Sequence, residues 1–223
     1  MKIDFDQYAG QYEALIAAQT NFFDSDNDYF IRYKVERAKQ LAGDVDAVLD
    51  FGCGIGRAMR YFRAAFPKAD VVGCDPSADS LAIARRDNPD CRFLAMEELG
   101  GSATKFDLIL ASCVFHHIAP SERQEALRFC HDRLKPGGHF VIFEHNPYNP
   151  VTRHLVNTCP FDADAVLLPM RETIKRMREA RFEIAQTGYC LFFPGALAAL
   201  RPLEKFLSWL PLGGQYFVSG VRA

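Results

Sequence analysis

VLDFGCGIGR, Val48 to Arg57, is the stretch of sequence that decides the fold of this chain. Three glycines at alternate positions, 52, 54 and 56, follow a short apolar run that ends in the acid Asp50. Glycine lacks a Cβ atom, so a loop of this kind lets a ligand lie against the backbone. The same pattern serves the phosphates of a dinucleotide, a different cofactor or a plain tight turn, and the flanking sequence has to distinguish these three.

Strand-like and helix-like stretches alternate from residue 47 onward. Strands are predicted at 47–50, 70–75, 91–95, 106–112, 139–145, 182–193 and 215–223. Helices are predicted at 56–66, 77–86 with Ser77 as N-cap, 121–134 with a capping box of Ser121 and Gln124, and 170–180. Such alternation predicts an α/β fold with a doubly wound, mostly parallel sheet. Ligands in such folds bind beyond the carboxyl ends of the strands.

The spacing of the glycines differs from the dinucleotide fingerprint GxGxxG, because the third glycine comes one residue early and Arg57 takes its place. The acid Asp50 repels a pyrophosphate but attracts a cationic ligand. A second acid, Asp75, ends the second predicted strand, where a carboxylate accepts hydrogen bonds from both ribose hydroxyls. Together the two acids indicate a nucleoside with a cationic, phosphate-free tail, a description that S-adenosylmethionine meets.

Several motifs in order resemble those of the class I (Rossmann-like) S-adenosylmethionine-dependent methyltransferases. VLDFGCGIGR is similar to their first motif, VVGCDPS to their second, FDLILASCVFHHI to the fourth-strand motif and LKPGGHFVIFEHN to the fifth. The resemblance implies a seven-stranded sheet whose last strand is antiparallel, with N-terminal helices capping the cofactor site. It also implies S-adenosylmethionine as cofactor and S-adenosylhomocysteine as product.

The resemblance also implies a set of cofactor-binding residues. The methionine part of the cofactor is expected at Asp50, Gly52, Cys53, Gly54 and Gly56, the ribose at Asp75, and the methyl end near Ser112 and Cys113. The adenine is expected near Pro76, with Met96, Glu97 or a backbone amide as alternatives for its amino group, and His117 is expected to close the loop beside the cofactor.

Two acid–base candidates, Glu144 and His145, end the fifth predicted strand. Each could take a proton from a methyl acceptor, or simply hold the loop by hydrogen bonds. His116 and His117 invite a metal interpretation, but adjacent histidines are expected to point in different directions and no carboxylate or cysteine set accompanies them in the sequence. No metal is therefore predicted.

The chain is predicted to form one methyltransferase domain over 1–223. It consists of a helical N-terminal cap (1–46), a cofactor-binding core (47–145) and two acceptor-site insertions (146–168 and 194–214). The second insertion carries an apolar stripe. Its members are Leu197, Leu200, Leu203, Phe206, Leu207 and Leu210. Burial of the stripe on the core or in a dimer is favoured over a lid above an apolar acceptor.

The composition of the chain limits the kinds of partner that it is expected to bind. The formal net charge is −2 with no long basic block, so nucleic acid is not an expected partner. The sequence contains no run of 18 apolar residues, so no transmembrane segment is predicted. The seven scattered cysteines include no CxxC pair, which favours a reduced, cytoplasmic protein, monomeric or homodimeric. Peripheral contact with an apolar or lipid-linked substrate stays open.

The leading functional hypothesis is methyl transfer from S-adenosylmethionine to O, N or C of a small molecule, with an apolar, quinone-like or lipid-linked acceptor as one option. One alternative is a non-catalytic S-adenosylmethionine-binding regulatory or assembly subunit. The other is a nicotinamide-dependent oxidoreductase, which the glycine spacing and Asp50 disfavour.

Overall fold

A computed structural model describes Asp6, Gly10 and residues 28–223, without the side chain of Phe161. The first described helix, α1, covers Tyr29–Ala42 of the predicted N-terminal cap, and the part of that cap before residue 28 lies outside the described residues except for Asp6 and Gly10. The strands are β1 (Ala47–Phe51), β2 (Asp70–Asp75), β3 (Arg92–Ala95), β4 (Phe106–Ser112), β5 (Leu134–His145), β6 (Phe182–Cys190) and β7 (Gln215–Arg222). The remaining α-helices are α2 (Met59–Ala65), α3 (Ala78–Asp87), α4 (Met96–Gly101), α5 (Arg123–Arg133), α6 (Pro150–Thr158) and α7 (Met170–Glu179). Two 3₁₀ segments cover Pro160–Asp162 and Gly195–Phe206.

The seven strands form one sheet in the order β3-β2-β1-β4-β5-β7-β6. β1 pairs in parallel with both β2 and β4, whereas β7 runs antiparallel between β5 and β6. The α/β, doubly wound prediction is thereby confirmed, including the antiparallel last strand. The order of strands reverses at β1, so the crevice between the carboxyl ends of β1 and β4 is where such a sheet binds ligands.

The sheet is buried on both faces, which explains the nearly continuous apolar runs of the central strands. Alternate residues of each strand enter separate cores: Val48 and Leu110 pack on one face, and Leu49 and Ile109 on the other. Helix α1 joins the first core through Val35 and Ala38. The carboxyl ends of β1 and β4 are thus fixed by packing on both sides.

The predicted capping box at the start of α5 is wrong. The helix begins at Arg123, and its N-cap, Glu122, makes no side-chain capping bond. Gln124 instead donates from Nε2 to the carbonyl of Arg176 in α7. The buried Arg123 guanidinium bonds the carbonyls of Phe115, Ile118 and Val166, so this turn is held by long-range contacts that the local pattern does not contain.

The prediction that the apolar stripe is buried on the core of its own chain is also wrong. Leu197, Leu203 and Phe206 are exposed, Phe206 to 65%. The buried member of this segment is Glu204, whose carboxylate accepts hydrogen bonds from the amides of residues 191, 192 and 193 at 3.0–3.1 Å. The physical reason is that three successive amides after β6 need an acceptor, and satisfying them turns the acid inward and the apolar side chains outward.

Within the described ranges, no helix combines the length and the apolar character needed to cross a membrane.

Candidate cofactor and acceptor site

A cavity of about 230 Å³ opens at the carboxyl ends of β1 and β4. On one side lies the glycine wall, made of Asp50, Gly52, Cys53 and Ile55. On the other lies the histidine wall, made of His116, His117, His145 and Asp162. Ser112 and Cys113 stand between them, with Lys34 of α1 and Gln215 of β7. One cavity therefore brings together the end of β1, the end of β4, the end of β5 and the segment after α6.

The glycine loop has the backbone conformation that its sequence requires. Gly52, Gly54 and Gly56 all have positive φ, at 78°, 51° and 79°. A Cβ atom on Gly52 would lie 2.4 Å from a methyl group of Val114, whereas one on Gly54 would meet no atom within 4 Å. The amides of Gly52 and Cys53 both donate to the carbonyl of Cys74 at the end of β2. The loop is thus tied to the neighbouring strand and leaves open space at its centre.

Asp50 is the buried acid of the glycine wall. Burial, and then the charge of Asp75, raise its pKa to about 7, while Lys34 opposes the shift. A cationic ligand in the cavity would favour the ionised carboxylate. This buried acid beside an open glycine loop fits the ammonium and sulfonium groups of S-adenosylmethionine, and it does not fit a pyrophosphate.

Asp75 is bound within the protein at the end of β2. Its two carboxylate oxygens accept hydrogen bonds from the amides of Gly54, at 2.8 Å, and Ser77, at 2.9 Å. Ser77 also caps α3 by accepting from the amide of Ser80, as predicted. Each carboxylate oxygen has a second lone pair, so this fixed orientation still leaves acceptor capacity for ribose hydroxyls.

The predicted adenine residues lie away from the cavity. Pro76 and Glu97 are exposed, and Met96 is half-buried with its Sδ 3.3 Å from Cys74 Sγ. None of these three, nor Asp75, Gly54 or Gly56, lines the cavity that joins the two walls. Asp50, Gly52, Cys53, Ser112, Cys113, His117 and His145 do line it.

Lys34 is a site residue that the sequence argument missed. It is buried, and its Nζ donates to Ser112 Oγ at 2.8 Å and to Cys113 Sγ at 3.3 Å. A lysine on the same helix face as the buried Val35 and Ala38 was the available signal, since a buried lysine is rarely found without a partner.

Cys113 has the strained conformation of a residue held by its surroundings, with φ at 59°. Burial raises the pKa of its thiol, but the charge of Lys34 and the neighbouring His145 outweigh burial and bring the pKa to about 6. Gln215 Nε2 also donates to the sulfur, at 3.3 Å. The pKa of the Cys113 thiol therefore lies well below that of an ordinary cysteine.

The histidine wall is organised by Glu144, which is fully buried. One oxygen of Glu144 accepts from the amide of Phe115 at 2.7 Å, and the other lies 2.6 Å from His116 Nδ1. Burial opposes ionisation, yet the charge of His116 lowers the pKa of Glu144 to about 2. Burial likewise opposes the charge on His116, but Glu144 raises its pKa to about 10. Glu144 thus holds the loop and His116, the second of the two roles considered for it, and only His145 of the two acid–base candidates lines the cavity.

The expectation that adjacent histidines diverge and lack a carboxylate is wrong. Asp162 Oδ1 lies 3.6 Å from His116 Nε2 and 3.3 Å from His117 Nε2. The two imidazole rings are 4.0 Å apart between centroids. The turn at Val114 to His117 and the arrival of Asp162 from a distant segment bring both rings to one oxygen atom.

Comparisons with known proteins give this geometry a family. A model of the methyltransferase domain matches residues 49–140. An uncharacterized methyltransferase of Synechocystis is 35% identical over 105 residues, which cover 46% of this chain and 49% of that protein. The trans-aconitate 2-methyltransferase of Klebsiella pneumoniae is 36% identical over 73 residues, which cover 29% of each chain. The match over residues 49–140 and the order of the seven strands support a class I S-adenosylmethionine-dependent methyltransferase.

A solved class I methyltransferase has the same fold over nearly its whole length. The S-adenosylmethionine-dependent methyltransferase of Thermotoga maritima, a possible histamine N-methyltransferase, has a TM-score of 0.69 at 20% identity and covers 98% of both chains. This chain spans about half or less of the length of these two relatives, so their substrates are not carried over to it. The family's cofactor is S-adenosylmethionine, and the glycine wall of this chain provides the open loop and the buried acid that suit it.

Proposed function

We propose that this protein transfers the methyl group of S-adenosylmethionine to an oxygen, nitrogen or carbon atom of a small polar molecule bound against the histidine wall. The observation that carries the proposal is the single cavity in which the glycine wall faces the histidine wall across Ser112 and Cys113. Since the cofactor's methyl group is already electrophilic when bound, the protein's task is alignment and exclusion of water.

The residues would divide the work as follows. Asp50 and the glycine loop hold the cationic methionine part, and Asp75 accepts the ribose hydroxyls at the neighbouring strand end. Pro76, Met96 and Glu97 would flank the adenine beyond the cavity. Ser112 and Cys113 orient the methyl end, and His117 closes the far side. His145, which lines the cavity, would accept the acceptor's proton while the acceptor's lone pair forms the new bond to the methyl carbon.

The polar side chains of the histidine wall support a polar acceptor over an apolar one. His116, His117, His145 and Asp162 all line the cavity, whereas no described residue of 194–214 does. The other predicted insertion, 146–168, contributes Leu155, Val156 and Asp162. Trans-aconitate, the compound in the name of one relative, is a polycarboxylic acid. In this proposal the segment 146–168 forms the acceptor side, α1 caps the cofactor side, and the stripe of 194–214 has no part in transfer.

The test supplies the protein and methyl-labelled S-adenosylmethionine with a metabolite extract separated into an acidic polar fraction and a lipid fraction. Mass spectrometry should find the label in a compound of the polar fraction. Label confined to the lipid fraction would overturn the polar acceptor and restore the apolar hypothesis. Cofactor binding without any transfer would favour the non-catalytic subunit. The match of residues 49–140 to a methyltransferase domain disfavours the alternative of a nicotinamide-dependent oxidoreductase.

A further inference from the structure

Three potential metal ligands converge on one point of the histidine wall. One ring nitrogen each of His116 and His117 and a carboxylate oxygen of Asp162 all lie within 4.8 Å of one another. All three residues line the cavity, so the point they surround is reached from the acceptor side. They come from two segments, the loop after β4 and the 3₁₀ turn Pro160–Asp162.

The separations suit ligands of one ion better than hydrogen bonds. The two nitrogen-to-oxygen distances are 3.6 Å and 3.3 Å, longer than the roughly 2.7–3.2 Å of an N–H···O bond. Tetrahedral ligands at about 2.0–2.1 Å from a zinc ion are about 3.4 Å apart. One oxygen of Asp162 lies at similar distances from both imidazoles, which is consistent with a regular coordination geometry around one ion.

The donors are also held as metal ligands usually are. A ligating histidine commonly donates its other ring N–H to a carboxylate, which fixes the tautomer and the ring orientation. Glu144 lies 2.6 Å from His116 Nδ1, which leaves Nε2 directed at Asp162. The amide of Phe115 holds Glu144 in turn. The segment that carries Asp162 is tied to the histidine loop, because the amide of Val166 donates to the carbonyl of His116 at 2.9 Å.

The charge of the surroundings favours a cation. Glu144 and Asp162 are buried acids, and Asp164 Oδ1 lies 3.8 Å from His117 Nδ1. Two imidazoles and one carboxylate suit borderline first-row ions such as Zn²⁺, Co²⁺ and Fe²⁺. A three-residue set leaves at least one coordination position toward the cavity.

We propose that His116, His117 and Asp162 bind a divalent transition-metal ion, Zn²⁺ by the chemistry of its ligands, whose open position takes an oxygen atom of the methyl acceptor. The acceptor role rests on the proposed function, whereas the metal site itself does not. The ion would hold an acidic oxygen of the acceptor opposite the glycine wall. Such binding selects acceptors with a carboxylate or hydroxyl group able to coordinate the ion.

The test titrates the chelator-treated protein with Co²⁺ followed by visible absorption, and then displaces the Co²⁺ with Zn²⁺. One Co²⁺ per chain is expected. Asp162→Ala should lower the affinity by more than the about 10- to 100-fold loss typical of an outer-sphere change, and Glu144→Gln should lower it by that smaller amount. His154→Ala, an exposed histidine of α6, is the matched control and should bind Co²⁺ normally.

Calorimetric binding of S-adenosylhomocysteine by every variant reports whether its fold and cofactor site persist. No metal binding by a wild-type protein that still binds S-adenosylhomocysteine would overturn the site, leaving His116 as a protonated bridge between Glu144 and Asp162, and would leave the proposed function standing. Equal affinity in wild type and Asp162→Ala would also overturn it. Metal binding without cofactor binding would instead sink the proposed function.

Discussion

The glycine wall and the histidine wall line one cavity, yet they are built in different ways. The glycine wall is mostly backbone, and its shape follows from positive φ values within one short stretch after β1. The histidine wall is made of side chains from the loop after β4, the end of β5 and the turn at Asp162, joined through Glu144. A shared cofactor can be served by a local motif, whereas an individual acceptor is recognised by residues that only the tertiary fold assembles.

The largest effect is expected from Gly52→Ala on the glycine wall. The new Cβ would overlap Val114 at a φ of 78°, so we expect a loss of about 4 kcal/mol in unfolding free energy and no measurable binding of S-adenosylmethionine. Gly54→Ala is the control, because its Cβ has open space and costs only about 1–2 kcal/mol of left-handed strain. Urea unfolding of both variants checks this. Equal losses would mean that the contact with Val114 does not shape the loop.

Glu144→Gln, on the histidine wall, should lower the free energy of unfolding by about 3 kcal/mol, because it breaks the buried ion pair with His116. The pKa of Glu144 falls from about 4.5 to about 2 on folding. The stability that the ionised carboxylate contributes is therefore complete above about pH 4.5 and disappears as the pH falls toward 2. The pKa of His116 rises to about 10, so its contribution is complete below about 6.5 and disappears as the pH rises toward 10.

Urea unfolding of the chelator-treated wild type and Glu144→Gln should therefore differ most between about pH 4.5 and 6.5 and converge toward both extremes. A difference that stays constant from pH 3 to pH 10 would contradict the ion pair.

Asp50→Asn should weaken the binding of S-adenosylmethionine by about 2 kcal/mol, roughly 30-fold, since it removes a charge-assisted contact. In the empty wild-type site Asp50 has a pKa of about 7, so it is largely neutral below that value. Affinity for the cationic ligand should therefore rise from pH 5.5 to 7.5, and the variant should lose this dependence. Calorimetry at three pH values measures both effects. Parallel pH profiles for wild type and variant would place the titrating group elsewhere.

Lys34→Met should slow alkylation of Cys113 by iodoacetamide at pH 7 about tenfold, equivalent to about 1.4 kcal/mol, because Lys34 helps to lower the pKa of the thiol. Peptide mapping by mass spectrometry identifies the alkylated cysteine. Cys53, Cys74, Cys130 and Cys190 serve as internal controls, since burial raises the pKa of each of them. Unchanged reactivity at Cys113 would show that Lys34 does not control the thiolate.

The smallest effect is expected from Phe206→Ser on the exposed stripe. Its side chain is 65% exposed and lines neither wall, so stability should change by less than about 0.5 kcal/mol and methyl transfer should not change. Glu204→Gln, in the same segment, is the contrasting variant, because it weakens the acceptor for three amides and should cost about 1–3 kcal/mol. A loss of turnover in Phe206→Ser at unchanged cofactor affinity would revive the lid hypothesis.

The sequence predicts the sheet and the glycine wall because their signals are local. Apolar strands, glycines that need positive φ, and acids at strand ends each occupy a few adjacent positions. The contacts that organise the rest of the site are long-range: Lys34 lies 78 residues from Ser112, and Glu144 lies 28 from His116. Asp162 gave no signal by itself, because a single acid in a proline-rich segment is equally typical of a solvated loop. The burial of Glu204 and the exposure of the apolar side chains around it were unpredictable for the same reason, since the partners of Glu204 are backbone amides that carry no sequence signature.

A crystal structure of the complex with S-adenosylhomocysteine tests most directly whether one cavity serves both cofactor and acceptor. We expect the amino group of the product beside Asp50, the ribose hydroxyls on Asp75, and the sulfur atom near Ser112 and Cys113, facing the histidine wall. A sulfur atom directed away from His116, His117 and His145, or a ligand bound outside the crevice between β1 and β4, would contradict it.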